Sequence, residues 1–122
     1  GMARIKMKLY KEFTFEAAHK LPLVPSDHKC FQLHGHSFKA RVYVQGPVNE
    51  MGWVIDFGDL KAICKPWIKM LDHSYLNEIQ GLDNPTSENI AIWLWGKLEE
   101  DLPQLSAVEI METCSSGCIY SG

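Results

Sequence analysis

The 122-residue chain predicts an α+β fold: two helices laid on one face of a four-stranded antiparallel sheet, in the order ββααββ. Three observations carry this. Two early segments alternate apolar and polar residues with the period of a half-buried strand. Two later segments carry apolar residues at helical spacing. A short strand pair then closes the chain around Ser115-Ser116-Gly117. Strands gathered at both ends of two successive helices imply an antiparallel sheet with helices on one side.

In the first strand, residues 9–19, Leu9, Lys11, Phe13, Phe15, Ala17 and His19 share a face, with Glu12, Thr14 and Glu16 opposite. In the second, residues 34–44, His34, His36, Phe38, Ala40, Val42 and Val44 share a face against Ser37, Lys39, Arg41 and Tyr43. Residues 22–33, with two prolines and mixed polarity, read as a loop. Asp56 offers an N-cap for a helix carrying Leu60, Ile63, Cys64, Trp67 and Leu71, and Pro66 predicts a kink or an early break inside it. A second helix opens at Asn84-Pro85-Thr86-Ser87-Glu88, buries Ile90, Trp93, Leu94 and Leu98, and is closed by Pro103. The closing strands are expected at 107–113 and 117–120.

Length allows one domain, expected over residues 3–122, with Gly1 ahead of Met2 reading as a cloning remnant. Twelve Lys+Arg against fifteen Asp+Glu give a net charge of −3. That balance argues against nucleic-acid binding through bulk charge, because phosphate neutralisation needs a basic face. No apolar run reaches a membrane-spanning length, and charges interrupt the segment where a secretion signal would need its apolar core. The expected location is the cytoplasm, which favours reduced thiols for Cys30, Cys64, Cys114 and Cys118.

His34 and His36, at i and i+2 on a strand, point to one side about 6–7 Å apart. His19 has the same apolar-face parity on the neighbouring strand. Three converging imidazoles without a fourth protein ligand describe a catalytic zinc site with an open position. Hydrogen-bonded rim histidines are the plain alternative, and a structural site built on Cys30 and His34 is a second. Cys30 lies outside every apolar stripe, beside His28 and Lys29, where positive charge favours a thiolate. Cys64, on the stripe of the first helix, reads as inert and buried. Asp72-His73 admits two readings: a helix terminus with His73 on the dipole, or a proton relay serving Cys30. Adjacency alone favours the first. Glu112 shares a face with Val108, Ile110 and Cys114, so this carboxylate needs an internal donor or a ligand with paired N–H groups, such as a guanine or pterin edge.

Together these segments resemble the 6-pyruvoyl-tetrahydropterin synthase superfamily. The resemblance rests on Phe15-Glu16-Ala17-Ala18-His19, Cys30-Phe31-Gln32-Leu33-His34-Gly35-His36, Val54-Ile55-Asp56-Phe57, Leu71-Asp72-His73, Pro85-Thr86-Ser87-Glu88 and Glu112-Thr113. The Cys-x3-His-Gly-His spacing and the ending Cys114-Ser115-Ser116-Gly117-Cys118 look most like the bacterial branch, which makes 6-carboxy-5,6,7,8-tetrahydropterin for queuosine. The resemblance implies the tunnelling fold, a homo-hexamer of two stacked trimers with active sites at subunit interfaces, and Zn2+ on His19, His34 and His36. It implies Cys30 as catalytic cysteine with Asp72 and His73 as relay, Glu112 as pterin anchor, and Thr86 and Ser87 as hydroxyls at the pterin edge. The implied reaction converts 7,8-dihydroneopterin triphosphate to the 6-carboxy product with loss of triphosphate and acetaldehyde. Elimination to 6-pyruvoyl-tetrahydropterin without carbon–carbon cleavage is one alternative, and a zinc-stabilised binding module without activity is the other. Relatives often carry a basic residue where Phe31-Gln32 stands, which leaves Lys20, Lys29 or a neighbouring subunit for the triphosphate.

Overall fold

The computed structural model describes residues 6–113 and 115–122; Cys114 and the readings placed on it lie outside them. Strand β1 (Met7–His19) and strand β2 (His34–Gly46) pair antiparallel over thirteen residues without a shift in register, from Met7 opposite Gly46 to His19 opposite His34. Such a pairing is strongly fixed because a one-residue slip would turn Phe15, Ala17, Phe38 and Ala40 out of the core. All four are buried. The segment between the strands is a loop except for one tight 3-10 turn at Lys29–Phe31.

Helix α1 (Phe57–Leu71) is capped by Asp56, whose Oδ1 accepts from the Gly58 N–H at 2.9 Å. It buries Leu60, Cys64, Ile68 and Leu71. Of the kink or early break expected at Pro66, the early break does not occur: the helix runs five residues beyond it. Pro66 and Ala62 are exposed, so the carbonyl that loses its partner faces water. Strand β3 (Ser74–Tyr75) follows at once and pairs parallel with β1 at Ala17 and Ala18. Helix α2 (Ser87–Leu98) starts one residue after its cap, Thr86, and buries Ile90, Ala91, Trp93, Leu94 and Leu98. Strands β4 (Leu105–Thr113) and β5 (Ser116–Tyr120) complete a sheet of order β3-β1-β2-β4-β5.

The α+β class is as expected, but the sheet has five strands where the alternation pattern gives four. The added strand, β3, is two residues long, too short for any periodicity to show. Packing of α1 and α2 against the apolar side of the sheet leaves the other side without a helix. That side carries Glu12, Arg41, Tyr43 and Glu109, joined by an Arg41–Glu12 contact of 2.9 Å and a Tyr43–Glu109 hydrogen bond of 2.5 Å. No helix among the described residues is long and apolar enough to cross a membrane.

Candidate active site

The strand registers bring three imidazoles together at one end of the sheet. His19 ends β1 directly opposite His34, and His36 stands two residues further along β2 on the same face. Ring centroids are 4.6 Å apart for His19–His34, 4.8 Å for His34–His36 and 5.4 Å for His19–His36. Phe38, stacked on Phe15 at 4.9 Å, forms the apolar floor beneath them.

Backbone carbonyls orient two of the rings. Nδ1 of His19 lies 2.8 Å from the Pro85 carbonyl oxygen, and Nδ1 of His34 lies 2.7 Å from that of Gln32. A carbonyl only accepts, so each Nδ1 carries the proton and each Nε2 presents a lone pair. The Nε2 atoms of His19 and His34 are buried without a hydrogen-bond donor. Burial is the main influence holding the His19 imidazole below its ordinary pKa, against the Pro85 carbonyl and Glu112, which act the other way. Carbonyl-tethered imidazoles with unsatisfied inward Nε2 atoms fit a bound divalent metal. Glu112 joins the cluster: its Oε1 is 3.1 Å from His19 Nε2 and 3.7 Å from His36 Nε2. The four ligating atoms lie within 4.8 Å of one another. Rings tethered only as rim histidines would not leave two buried lone pairs facing the same point.

Asp72 and His73 form a pair, contrary to what their adjacency favours. His73 has φ +56°, a backbone conformation uncommon for a residue with a side chain. This turn folds the ring back so that Nδ1 lies 2.9 Å from Asp72 Oδ2. Both backbone polar groups of Glu16 hold the turn: the Glu16 N–H donates to Asp72 Oδ1 at 2.8 Å, and the His73 N–H donates to the Glu16 carbonyl. The Glu16 N–H, followed by His73, keeps the Asp72 carboxyl below its ordinary value of 3.8. The folded state therefore binds fewer protons at Asp72 than the unfolded chain just below pH 3.8. Stability from this contact is complete above that pH and is lost as pH falls through the lowered folded-state value. Asp72→Asn is expected to flatten that acid limb in melting curves taken between about pH 2 and 5; an unaltered limb would contradict the assignment.

His73 is largely exposed, and with His36, Ser74, Ser37 and Glu16 it lines an open groove of 460 Å³. Cys30 sits half-buried in the 3-10 turn. Nδ1 of His28 accepts from the Cys30 backbone N–H at 3.0 Å, so His28 caps the turn. Among the described residues no hydrogen bond joins Cys30 to His73 within the chain. Ser87 and Glu112 line a 210 Å³ pocket together with Glu88, Ser116, Gly117 and Cys118. Thr86 is occupied as the cap of α2, its Oγ1 accepting from the Asn89 N–H at 3.1 Å. Exposed Lys20 and Lys29 flank the loop. Cys64 is buried, and burial pushes its thiol up to about 12, as an inert core cysteine requires.

Sequence reasoning missed the two carbonyl tethers and the part played by Glu16. Gln32, two residues before His34, is a local signal that could have been read. The Pro85 tether spans 66 residues and carries no sequence signal.

Fold and site together define an α+β protein with a metal-capable imidazole cluster and a separate imidazole–carboxylate dyad at an open groove. A sequence profile described as 6-pyruvoyl tetrahydropterin synthase matches residues 8–122. The 6-carboxy-5,6,7,8-tetrahydropterin synthase of Synechocystis sp. is 51% identical over 92% of this chain and 91% of its own length. The dihydroneopterin monophosphate aldolase of Pyrococcus furiosus is 37% identical over 81% of each chain. In structure, the 6-pyruvoyl tetrahydropterin synthase of Caenorhabditis elegans superposes with a TM-score of 0.89 at 27% identity, covering 97% of this chain and 96% of its own. The chain belongs to the 6-pyruvoyl tetrahydropterin synthase family and is an enzyme.

Proposed function

We propose that this enzyme converts 7,8-dihydroneopterin triphosphate and one water to 6-carboxy-5,6,7,8-tetrahydropterin, triphosphate and acetaldehyde, as a cytoplasmic step toward queuosine and related 7-deazaguanines. The observation that carries the reading is the convergence of His19, His34 and His36 with Glu112, in which the Nε2 lone pairs of His19 and His34 are buried and unpartnered. The particular reaction follows the relative with the highest identity of the three described, 51% against 37% and 27%.

In this reading His19, His34 and His36 hold Zn2+. When bound, the metal supplies a Lewis acid for an oxygen of the pterin side chain, which acidifies the adjacent C–H bonds. Cys30 moves the side-chain protons, with His73 and Asp72 behind it. Asp72 fixes Nδ1 of His73 and leaves Nε2 facing the groove as the proton-carrying atom. Glu112 accepts from the ring N–H and amino groups of the pterin. Ser87, on the same pocket wall, sits at the pterin edge; Thr86 contributes by setting the start of α2 as well as by its hydroxyl. Lys20, Lys29 or a neighbouring subunit meets the triphosphate. Because Cys30 and His73 do not bond within one chain, the reading places them in one site across a subunit boundary, in a homo-hexamer of two trimers. Residues 3–122 form one catalytic unit of this assembly.

A second reading, elimination to 6-pyruvoyl-tetrahydropterin, is favoured by the overlay on the Caenorhabditis elegans enzyme of that name. Incubation with 7,8-dihydroneopterin triphosphate separates the two. Acetaldehyde in step with a 6-carboxy product is expected. Triphosphate release without acetaldehyde would transfer the chain to the second reading.

A further inference from the structure

Glu112 occupies a position that holding a pterin ring does not require. Its Oε1 stands on the ligating side of two imidazoles, 3.1 Å from His19 Nε2 and 3.7 Å from His36 Nε2. The Pro85 tether fixes the His19 proton on Nδ1, so this Nε2 is an acceptor. A carboxylate oxygen is an acceptor as well. Two acceptors at 3.1 Å repel unless a cation lies between them, and His19 Nε2 makes no hydrogen bond there. The same side chain also forms part of the wall of the 210 Å³ pocket with Ser87, Glu88 and Cys118. Glu112 thus faces the imidazole cluster on one side and the ring pocket on the other.

We propose that Glu112 is the fourth metal ligand of the substrate-free enzyme and is drawn off the metal when a pterin ring enters the pocket. The carboxylate exchanges a cation for the paired N–H donors of the ring. Three imidazoles and one carboxylate complete a four-coordinate shell, which keeps the metal closed until a ring is seated. Seating the ring opens one position at the moment the side chain arrives to use it. The inference rests on the metal and pterin reading above, and it adds a thermodynamic consequence. One carboxylate cannot serve both ligands, so metal and ring each weaken the other, and by the same factor.

The test uses Zn2+ and unsubstituted pterin, a ring without the side chain that could itself ligate metal. Zinc affinity is measured by chelator competition with and without saturating pterin, and pterin affinity by fluorescence titration of zinc-loaded and zinc-stripped protein. In the unmodified enzyme, pterin is expected to weaken zinc binding about fivefold or more, and zinc to weaken pterin binding equally. Glu112→Gln, nearly the same shape, is expected to bind zinc at least about tenfold more weakly and to show no coupling. Cobalt-loaded enzyme is expected to change its visible bands on pterin addition, and the variant is not. Weaker pterin binding in Glu112→Gln with unaltered zinc affinity would overturn the proposal and leave an anchor only. Weaker zinc binding with unaltered pterin affinity would overturn the exchange. Absence of coupling in the unmodified enzyme would overturn it without any variant. Failure of the unmodified protein to bind zinc or pterin at all would instead refute the underlying functional reading.

Discussion

Cys30→Ala is expected to give a folded, zinc-loaded, pterin-binding protein whose turnover falls about 10²–10⁴-fold, the usual cost of removing a positioned acid–base group. The structure explains why stability should survive. Cys30 sits in a 3-10 turn outside the buried core, and the turn is closed by backbone groups: its N–H donates to His28 Nδ1, and its carbonyl accepts from the Leu21 N–H at 2.8 Å. Neither contact involves the thiol, so a methyl group leaves both in place. Zinc should stay because the thiol is not among the four groups that converge at the imidazole cluster. Melting temperature, metal content and turnover, measured on one preparation, check all three parts. Near-normal turnover would move the proton transfers to His73. Loss of zinc would restore the structural Cys30–His34 site that the spacing also allows.

His34→Ala and His36→Ala are expected to abolish stoichiometric zinc and activity together. Each removes one of three imidazoles, and neither leaves a buried side chain behind to take its place. His34 is the more informative of the two. Its Nδ1 is held by the Gln32 carbonyl, and its buried Nε2 has no donor, so the metal-free ring carries an unsatisfied lone pair. An unsatisfied buried polar atom costs about 1–3 kcal/mol. The His34→Ala protein is therefore expected to lose metal and yet melt no lower than the stripped parent protein. Full zinc in either variant would dismiss the three-histidine site.

Much of this site was legible in the sequence because it lies on strands. Alternation along residues 9–19 and 34–44 fixed which residues share a face, and parity alone put His19, His34 and His36 on one side. The same rule placed Glu112 beside Val108 and Ile110 as a carboxylate on an apolar face. Parity does not give distance, so it could not show that the Glu112 oxygen would come to rest among the imidazoles. Turns were the other limit. Adjacent side chains such as Asp72 and His73 meet only when the backbone bends sharply, and the φ of +56° at His73 depends on the Glu16 peptide group 56 residues away from Asp72. Strand β3 was invisible for a related reason, since two residues form no pattern. At Pro66, where a kink or an early break is expected, exposure of the freed carbonyl let α1 continue without breaking.

In the proposed function the metal rests on imidazoles of β1 and β2, and the chemistry happens there. X-ray absorption at the zinc edge of the fully loaded enzyme tests it most directly. A shell of nitrogen and oxygen only, with the multiple-scattering signature of three imidazoles and one zinc per chain, is the expected result. Sulfur in the shell, or fewer than three imidazoles, would contradict it.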